Sequence, residues 1–542
     1  MDRRTTRRLL GAIQEENARA FEGLHIRGHK RPHFLSHLVR HREEWILEAR
    51  FGALSKDVHT TTRTALVDVR VGSYRRDQIA NGGLHDNSRD LESYEWVQLP
   101  FGSSGHGFRH ALWRLTEVKY REACDDLLHK KAVELNYLDP SRKLGALERR
   151  EPVQAFELDE LPAIDHEHWV RYVTKLSAAM KRLPMVRDGD VRFRATNQVR
   201  VFVSSEGATV VESNPQRAID VYLWYLAPDG HTLPYSKTFF VTDETELPTE
   251  AQLKQFLRRI HRRLETLSKA PVLRSYAGPV LLDPTPAGLL VHEAIGHRLE
   301  GSRLLSQGEG QTFRDSVNSE ILLPGIDIWD DPTLSTFQGR TLTGHYAYDD
   351  EGVRSSRANL VEDGVLRGFL TTRSPIAKGH VSNGHARSAH HGRAISRMGV
   401  TVMEAHHGLD DDALMAAFLD EIRAQGAPYG LRILEASSGE TSTDAYDFQA
   451  FLGDVDLAAR VFPDGRQELV RGLDLVGTPL NAVRSIIAAG ARQEVDNAWC
   501  GAESGYVPVT TIAPSLLVDE LELQAKPMRP MTQFAYPMPW EG

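Results

Sequence analysis

Residues 283–301 read Asp283-Pro-Thr-Pro-Ala-Gly-Leu-Leu-Val-His292-Glu293-Ala-Ile-Gly-His297-Arg-Leu-Glu300-Gly301. The pattern predicts a helix, because Thr285 can cap it with a hydroxyl group and Pro286 suits a first turn, where no amide donor is needed. We expect Gly301 to adopt the left-handed conformation that closes many helices. Two imidazoles flank a carboxylate inside this helix, and these groups are the ingredients of a metal hydrolase.

The spacing of the two histidines is unusual for a helical metal motif. In His-Glu-x-x-His the histidines are four residues apart and face one ion, whereas His292 and His297 are five apart. In a regular helix this spacing separates the two side chains by roughly 140° of rotation, so both reach one ion only if the helix carries a π-type bulge. Gly296 weakens the helix where the bulge is needed. Two surface histidines on an ordinary helix are the alternative.

Size and composition predict a globular protein of at least two domains. The chain has 542 residues, of which 41% are hydrophobic, against a prior of ~150 residues for one domain. A net charge of −9 is mild for this length and favours neither nucleic acid nor a membrane surface as a partner. No apolar run approaches the ~20 residues of a membrane span, and the basic N-terminus lacks the apolar segment of a signal peptide. We therefore expect a cytoplasmic protein.

The hydrophobic pattern changes near residue 275. Before that point, alternating runs typical of antiparallel strands occur with helical patterns near residues 3–25, 110–134, 166–183 and 250–268. After it, the pattern is β-rich and punctuated by glycine and proline, with a predicted hairpin at Asp363-Gly364. The sequence predicts the α+β class, with one domain over residues 1–275 and a second, carrying the His292–His297 helix, over residues 276–542.

The two cysteines receive different interpretations. They form no disulfide framework, which fits a reducing compartment. Cys124 lies in a predicted helix and is interpreted as a small buried hydrophobic residue. Cys500 lies in a predicted glycine-punctuated turn before a strand, where a thiol can reach a metal. Two imidazoles and a thiolate suit a catalytic zinc, which keeps three protein ligands and an open position for water. A buried structural cysteine is the alternative.

Further histidines follow the helix. They are interpreted as solvated side chains, with a second metal site, or stabilisation of an oxyanion beside a zinc, as alternatives. These histidines are His380, His385, His390, His391, His406 and His407. Elsewhere the glycine-rich pieces lack the spacing of nucleotide-binding loops, and no Gly-x-Ser-x-Gly nucleophile motif occurs.

Several stretches, in order, resemble the TldD/PmbA family of metallopeptidases. The first is the segment His292-Glu-Ala-Ile-Gly-His-Arg-Leu-Glu-Gly301, which resembles the family signature. The others are Asp349-Asp-Glu-Gly352, the hairpin at Asp363-Gly364, Arg397-Met-Gly-Val-Thr-Val-Met403, Gly477-Thr-Pro-Leu480, and Cys500-Gly501 with Val507-Pro-Val509. The resemblance covers nearly the whole C-terminal half and is looser in the N-terminal half.

The resemblance implies a zinc-dependent peptidase of the catalytic, TldD-like type. One zinc ion per chain would be bound by His292, His297 and Cys500, with Glu293 as the general base. It also implies an N-terminal α/β domain with an antiparallel sheet and flanking helices, and a C-terminal β-rich domain, which we expect to be a barrel-like antiparallel sheet. The chain would form a homodimer, or a heterodimer with a paralogous subunit, around a cavity that admits small or unfolded peptides.

The chain departs from the family pattern in two places. Ser302 stands where the family usually has Asp, and Ala502-Glu-Ser-Gly-Tyr506 stands where Lys-x-Gly-Gln commonly follows Cys-Gly. These changes leave substrate preference and the surroundings of the thiolate open. Two other functions also stay open at this point: a non-catalytic partner that binds peptides or a regulator, and a metal hydrolase of a non-peptide amide.

Overall fold

The computed structural model describes residues 1–79, 96–102, 105–134, 144–306, 308–309, 311–389, 392–443, 450–526, 530–534 and 536–540. Within these ranges the chain forms seven α-helices and twenty-three strands. The helices are α1 (Arg3–Gly23), α2 (Gly105–Glu134), α3 (His166–Ala179), α4 (Glu250–Ser268), α5 (Pro284–Leu290), α6 (Asp411–Ala424) and α7 (Pro479–Arg484).

The strands contain both long ribbons and two-residue segments. They are β1 (Pro32–Arg50), β2 (Ala53–Ser73), β3 (Arg76–Asp77), β4 (Trp96–Gln98), β5 (Gln154–Glu157), β6 (Val186–Ser204), β7 (Thr209–Leu226), β8 (Thr232–Val241), β9 (Ser275–Leu282), β10 (Ile326–Asp330), β11 (Thr336–Phe337), β12 (Arg340–Thr341), β13 (Ala358–Glu362), β14 (Val365–Leu366), β15 (Ala386–Arg387), β16 (Ile395–Ser396), β17 (Val400–Ala405), β18 (Gly430–Thr441), β19 (Phe451–Val461), β20 (Gln467–Val470), β21 (Leu473–Gly477), β22 (Ile486–Ala502) and β23 (Gly505–Ala525).

The first sheet has eight strands, and helices cover one of its faces. Its order is β3-β2-β1-β6-β7-β5, with β4 beside β2 and β8 beside β7. All pairs are antiparallel except β5 with β7. Because successive side chains of a strand point to opposite faces, the odd-numbered residues of β1 and β6 form one apolar face. That face packs under α1 and α2 at one end and under α3 and α4 at the other. The four helices predicted before residue 275 are confirmed.

The second sheet closes into a barrel. Its eleven strands run β14-β13-β10-β17-β23-β21-β19-β18-β9, with β20 beside β19 and β22 beside β23. Because β9 also pairs with β23, the strands β9, β18, β19, β21 and β23 form a closed ring. The pairs β9–β18 and β17–β23 are parallel. The predicted α+β class with a barrel-like C-terminal region is confirmed, while the exact domain boundary at residue 275 stays a prediction.

The predicted Asp363-Gly364 hairpin is confirmed. The strands β13 and β14 pair on either side of it, and both turn residues are left-handed, with φ of 51° and 76°. Asparagine, aspartate and glycine tolerate this conformation better than other residues. No helix in the described ranges is long and apolar enough to cross a membrane.

Ion pairs and an aromatic stack join the first sheet to the C-terminal region. Arg40 of β1 and Arg200 of β6 both form ion pairs with the buried carboxylate of Asp350. Phe240 of β8 stacks on Trp499 of β22, with ring centroids 5.0 Å apart. The first sheet therefore packs directly against the strand that carries Cys500.

Candidate metal centre

The first motif histidine, His292, lies in a π-helical turn, and His297 lies in the 3-10 turn that follows it. The helix α5 continues into a π-helix over Val291–Ile295, followed by a 3-10 turn over Gly296–Leu299. The Gly296 N–H is shared between the carbonyls of His292 and Val291, four and five residues earlier. Because a π-turn brings residues five apart to one face, His292 and His297 lie together, with ring centroids 4.9 Å apart. The expected π-type distortion is confirmed.

Packing explains the glycine at position 296. Its backbone is ordinary right-handed helix, but a Cβ atom there would lie 2.1 Å from the sulfur of Met398. Gly296 therefore permits the close approach of Met398, rather than supplying unusual dihedral angles.

The predicted ends of the central helix are wrong. The helix α5 begins at Pro284, and Thr285 lies inside it. The flanking Asp283 makes no capping bond with its side chain and instead pairs with Arg432, at 2.8 and 3.1 Å. Gly301 is not left-handed. Its N–H donates to the Leu370 carbonyl, an approach that a Cβ atom would obstruct at 2.7 Å.

A strand, rather than a turn, delivers Cys500. The strand β22 continues through Cys500 to Ala502 because it pairs with β23, where Cys500 lies opposite Val507. The interpretation of Cys500 as a turn residue is therefore wrong. The pairing fixes the backbone on which the sulfur is carried, and it directs the side chain towards the π-helix.

The three predicted ligands converge. His292 Nε2 lies 3.2 Å from Cys500 Sγ, and His297 Nε2 lies 3.4 Å from it. The three ligand atoms all lie within 4.8 Å of one another. In a tetrahedral zinc site with Zn–N of ~2.0 Å and Zn–S of ~2.3 Å, nitrogen and sulfur are about 3.5 Å apart. The donor set and its separations therefore fit zinc.

The site is buried except on one side. Cys500 and His297 are 3% and 5% exposed, while His292 is partly exposed. His292 is thus the most exposed of the three side chains.

Glu293 is held close to this group. It is 5% exposed and packs under β18, where a Cβ atom on Gly439 would lie 2.6 Å from its Oε1. Burial lowers the pKa of His292, but Cys500 and Glu293 outweigh burial and raise it. The carboxylate thus lies near enough to the first ligand to act on it electrostatically.

A buried charged network surrounds the ligands. Glu300 Oε1 lies 3.2 Å from His297 Nδ1, and Arg303 Nη2 lies 2.8 Å from Glu300. Arg397 donates to Cys500 Sγ at 3.1 Å. A carboxylate on the second nitrogen fixes the orientation of a ligand imidazole and makes it more basic.

Charges, rather than burial, set the protonation of this cluster. Burial lowers the pKa of His297, but Cys500 and Glu300 outweigh it and raise the pKa to about 10. Burial raises the pKa of the Cys500 thiol, but His297, His292 and Arg397 hold that pKa well below its usual value. The cluster therefore favours the thiolate, which is the form that binds metals.

The described histidines of the later set lie outside the ligand group, and the interpretation as solvated side chains is wrong for His385. His385 is fully buried between Asp330, at 3.1 Å, and Asn383, at 2.8 Å. His380 Nε2 donates to the Thr372 carbonyl at 2.7 Å. The exposed His406 pairs with Asp327. His390 and His391 lie outside the described residues. In the described part of the chain, only His292, His297 and Cys500 form a group of three or more side chains able to hold a metal ion.

Comparison with known proteins finds similarity to one family of metallopeptidases. The model of the PmbA/TldA metallopeptidase C-terminal domain matches residues 275–525, which include the π-helix and Cys500. Residues 275–525 belong to the TldD/PmbA family. A protein named metalloprotease from Archaeoglobus fulgidus is 33% identical over 242 residues, or 44% of this chain and 51% of that relative.

Other relatives agree with this assignment. A metalloprotease from Methanothermobacter thermautotrophicus is 27% identical over 319 residues, or 58% of this chain and 65% of that relative. The chain thus spans about half to two thirds of the length of these two relatives. A zinc metalloprotease TldD homolog from Saccharolobus solfataricus is 21% identical over 66% of this chain and 76% of its own length.

Two solved structures share the fold of this chain. TldE from Thermococcus kodakarensis superimposes with a TM-score of 0.61 and 13% identity, over 96% of this chain and all of that one. A putative modulator of DNA gyrase from Thermotoga maritima gives a TM-score of 0.60 and 14% identity, over 90% and 96% of the two chains. At such low identity the likeness concerns the fold alone.

Proposed function

We propose that this chain is a zinc-dependent peptidase of the catalytic, TldD-like type, which hydrolyses peptide bonds of small or unfolded polypeptides. The observation that supports it most is the convergence of three ligand atoms within 4.8 Å, with a buried glutamate adjacent to the first ligand. The names of the curated relatives support a metallopeptidase, and one of those names specifies zinc.

The residues of the site would have separate chemical roles. His292, His297 and Cys500 would hold one zinc ion per chain. When bound, zinc polarises the scissile carbonyl and lowers the pKa of a water molecule towards ~7. Glu293 is the general base, which takes a proton from water and passes it to the leaving amine, a role typically worth 10² to 10⁴ in rate. Because a thiolate donates more electron density than an imidazole, Glu293 carries more of the water activation here.

Unfolded peptides suit a site in a β-rich region. An extended peptide can add to a sheet edge through backbone hydrogen bonds, which demands little of its sequence. We propose that the chain acts as a homodimer, or as a heterodimer with a paralogous subunit, around a cavity that admits such peptides. A reducing compartment such as the cytoplasm fits this proposal, because Cys500 must remain a thiolate.

Zinc analysis and a degradation assay on unfolded casein test the proposal together. We expect about one zinc ion per chain and chelator-sensitive cleavage. Glu293→Gln should retain the zinc and lose nearly all cleavage, because it keeps the shape of the side chain but cannot accept a proton. Glu404→Gln, an exposed change on β17, is the matched control and should cleave normally.

Each other outcome has a distinct meaning. Cleavage by Glu293→Gln at the wild-type rate would remove Glu293 as the base. Zinc binding without turnover of unfolded protein would favour a non-catalytic peptide-binding or regulatory partner. Chelator-sensitive turnover of small amides alone would favour a hydrolase of non-peptide amides.

A further inference from the structure

One fully buried arginine contacts the thiol ligand directly and an imidazole ligand through a carboxylate. Arg397, which lies between β16 and β17, is 0% exposed. Its Nη2 donates to Cys500 Sγ at 3.1 Å and to the Cys500 carbonyl at 2.7 Å. Its Nε lies 3.5 Å from Glu300 Oε1, and the same oxygen faces His297 Nδ1 at 3.2 Å. Arg397 therefore links the thiol ligand, through one carboxylate, to an imidazole ligand.

Three of the four hydrogen bonds of Arg397 hold the backbone and the turn beside Cys500, and only the bond to the sulfur has no such structural purpose. Arg397 Nη1 donates to Ser504 Oγ at 3.0 Å and to the Gly505 carbonyl at 2.9 Å, and these bonds hold the turn between β22 and β23. They do not require Nη2 to face the sulfur. Glu300 also pairs with a second cation, Arg303, at 2.8 Å.

A guanidinium next to a metal-bound sulfur has a chemical consequence. Charge-assisted hydrogen bonds are roughly twice as strong as neutral ones, and partners beyond the ligands tune both the affinity and the reactivity of a metal. A thiolate that accepts such a bond donates less electron density to its metal. The arginine therefore counteracts the loss of Lewis acidity that a thiolate ligand causes.

We propose that Arg397 is a positioning residue that aims the Cys500 sulfur at the metal and withdraws negative charge from it through the Nη2–H···Sγ bond. This inference rests on the proposed zinc site. It assigns to Arg397 an electronic role towards the metal in addition to its hold on the turn between β22 and β23.

The cobalt-substituted protein tests this role without an activity assay. A cobalt–thiolate site has a sulfur-to-metal charge-transfer band in the near ultraviolet, and the band moves to longer wavelength when the sulfur donates more strongly. Arg397→Gln should shift the band to longer wavelength. It should also weaken metal binding by about 10- to 100-fold, the usual effect of losing a partner beyond the ligands.

Ser504→Ala is the matched control, because it removes one Nη1 contact at the turn and leaves the Nη2 contact with the sulfur. Its band should stay at the wild-type wavelength. Arg397→Lys keeps the positive charge with a less suitable donor geometry, so its band should lie between those of the wild type and Arg397→Gln. Circular dichroism checks the fold of each variant.

Two results would overturn the role of Arg397. One is a folded Arg397→Gln protein with the wild-type band and affinity, and the other is an equal shift in Ser504→Ala. If Arg397→Gln does not fold, Arg397→Lys decides, and an unshifted band in it overturns the proposal. A wild-type protein that binds cobalt without any charge-transfer band would instead contradict the metal site itself. A normal band without peptidase activity would contradict only the proposed function.

Discussion

Two regions of the molecule each bury a cysteine and a histidine, with opposite electrostatic results. In the core between β1 and α2, burial raises the pKa of Cys124 and lowers that of His37 to about 4. In the metal centre the pKa of Cys500 is held low and that of His297 is raised to about 10, although burial acts the other way on both. Both cysteines are 3% exposed. Opposite charges within reach, and not the degree of burial, distinguish a reactive thiol from an inert one.

Hydrogen bonds hold His37 in one neutral form. Asn17 Nδ2 lies 2.9 Å from His37 Nδ1, which must therefore act as an acceptor. The Thr116 hydroxyl donates to the Leu112 carbonyl, so it accepts from His37 Nε2 at 3.0 Å. A second proton on His37 would face the Asn17 amide donor, whereas the carboxylate of Glu300 lies 3.2 Å from His297 Nδ1 at the candidate metal centre.

The largest expected effect comes from replacing each of the two cysteines separately by serine. Cys500→Ser should weaken zinc binding by more than about 10²-fold, since even partners beyond the ligands are worth 10- to 100-fold. Cys124→Ser, the matched control, should keep the wild-type zinc content. Metal analysis after equilibration with a competing chelator measures both. Unchanged zinc stoichiometry in Cys500→Ser would remove this cysteine from the ligand set and break the contrast between the regions.

Next in size is a steric change beside Glu293. Gly439→Ala puts a Cβ atom 2.6 Å from Glu293 Oε1, so the carboxylate must move. A displacement of ~1 Å at a catalytic group can cost about 10²-fold in rate, and kcat on an unfolded substrate should fall by that order while zinc is retained.

The neighbouring strand offers a control for Gly439→Ala. A Cβ atom on Gly453 of β19 would meet only the side chains of Leu475 and Leu289, at 3.3 Å and beyond. Gly453→Ala should therefore change kcat much less. Equal losses in the two variants would show that distortion of the β18–β19 ribbon, and not the position of Glu293, sets the rate.

A smaller effect is expected from the carboxylate that faces His297. Glu300→Gln removes the negative charge beside Nδ1, and zinc affinity should fall by about 10- to 100-fold. Glu309→Gln is matched to it, because Glu309 also pairs with Arg303, at 3.0 Å, without facing a ligand. Chelator competition compares the two variants. Equal affinities would mean that Glu300 serves only to balance Arg303.

The smallest effect concerns pH and the His37 core. Because the folded pKa of His37, about 4, lies below its unfolded value of 6.5, the unfolded state binds more protons between these pH values. Stability is therefore lost as pH falls below about 6.5, by about 2 kcal/mol at pH 5. Urea unfolding at pH 7 and pH 5 should show a smaller difference in His37→Gln than in the wild type. The exposed His25→Gln is the control, and a wild-type pH dependence in His37→Gln would contradict the assignment.

Local signals in the sequence predicted much of this molecule. The helical periodicity identified α1 to α4, and Asp363-Gly364 identified a hairpin. The five-residue spacing of His292 and His297 indicated that a π-type turn is required if both bind one ion, because a regular helix does not bring them together. These inferences depend on residues close together in the chain.

Pairing between strands that are distant in sequence determines the features that local sequence patterns did not predict. Closure of the barrel depends on β9 and β23, which are distant in sequence. Glycines around Cys500 indicated a turn, but pairing with β23 extends the strand through it. Glu300 and Arg397 both lay inside stretches that resemble the family. Their roles appear only once the fold brings the carboxylate to His297 and the guanidinium to Cys500.

The separation of the ligands along the chain bears on biosynthesis. His292 and Cys500 are 208 residues apart, and a ribosome delivers the N-terminal part first. A growing chain therefore lacks a complete ligand set until it has passed Cys500, and β23, which closes the barrel against β9, emerges later still. Under the proposed function, the peptidase becomes active only after Cys500 and β23 have been synthesised, so shorter nascent copies do not cleave the unfolded chains around them.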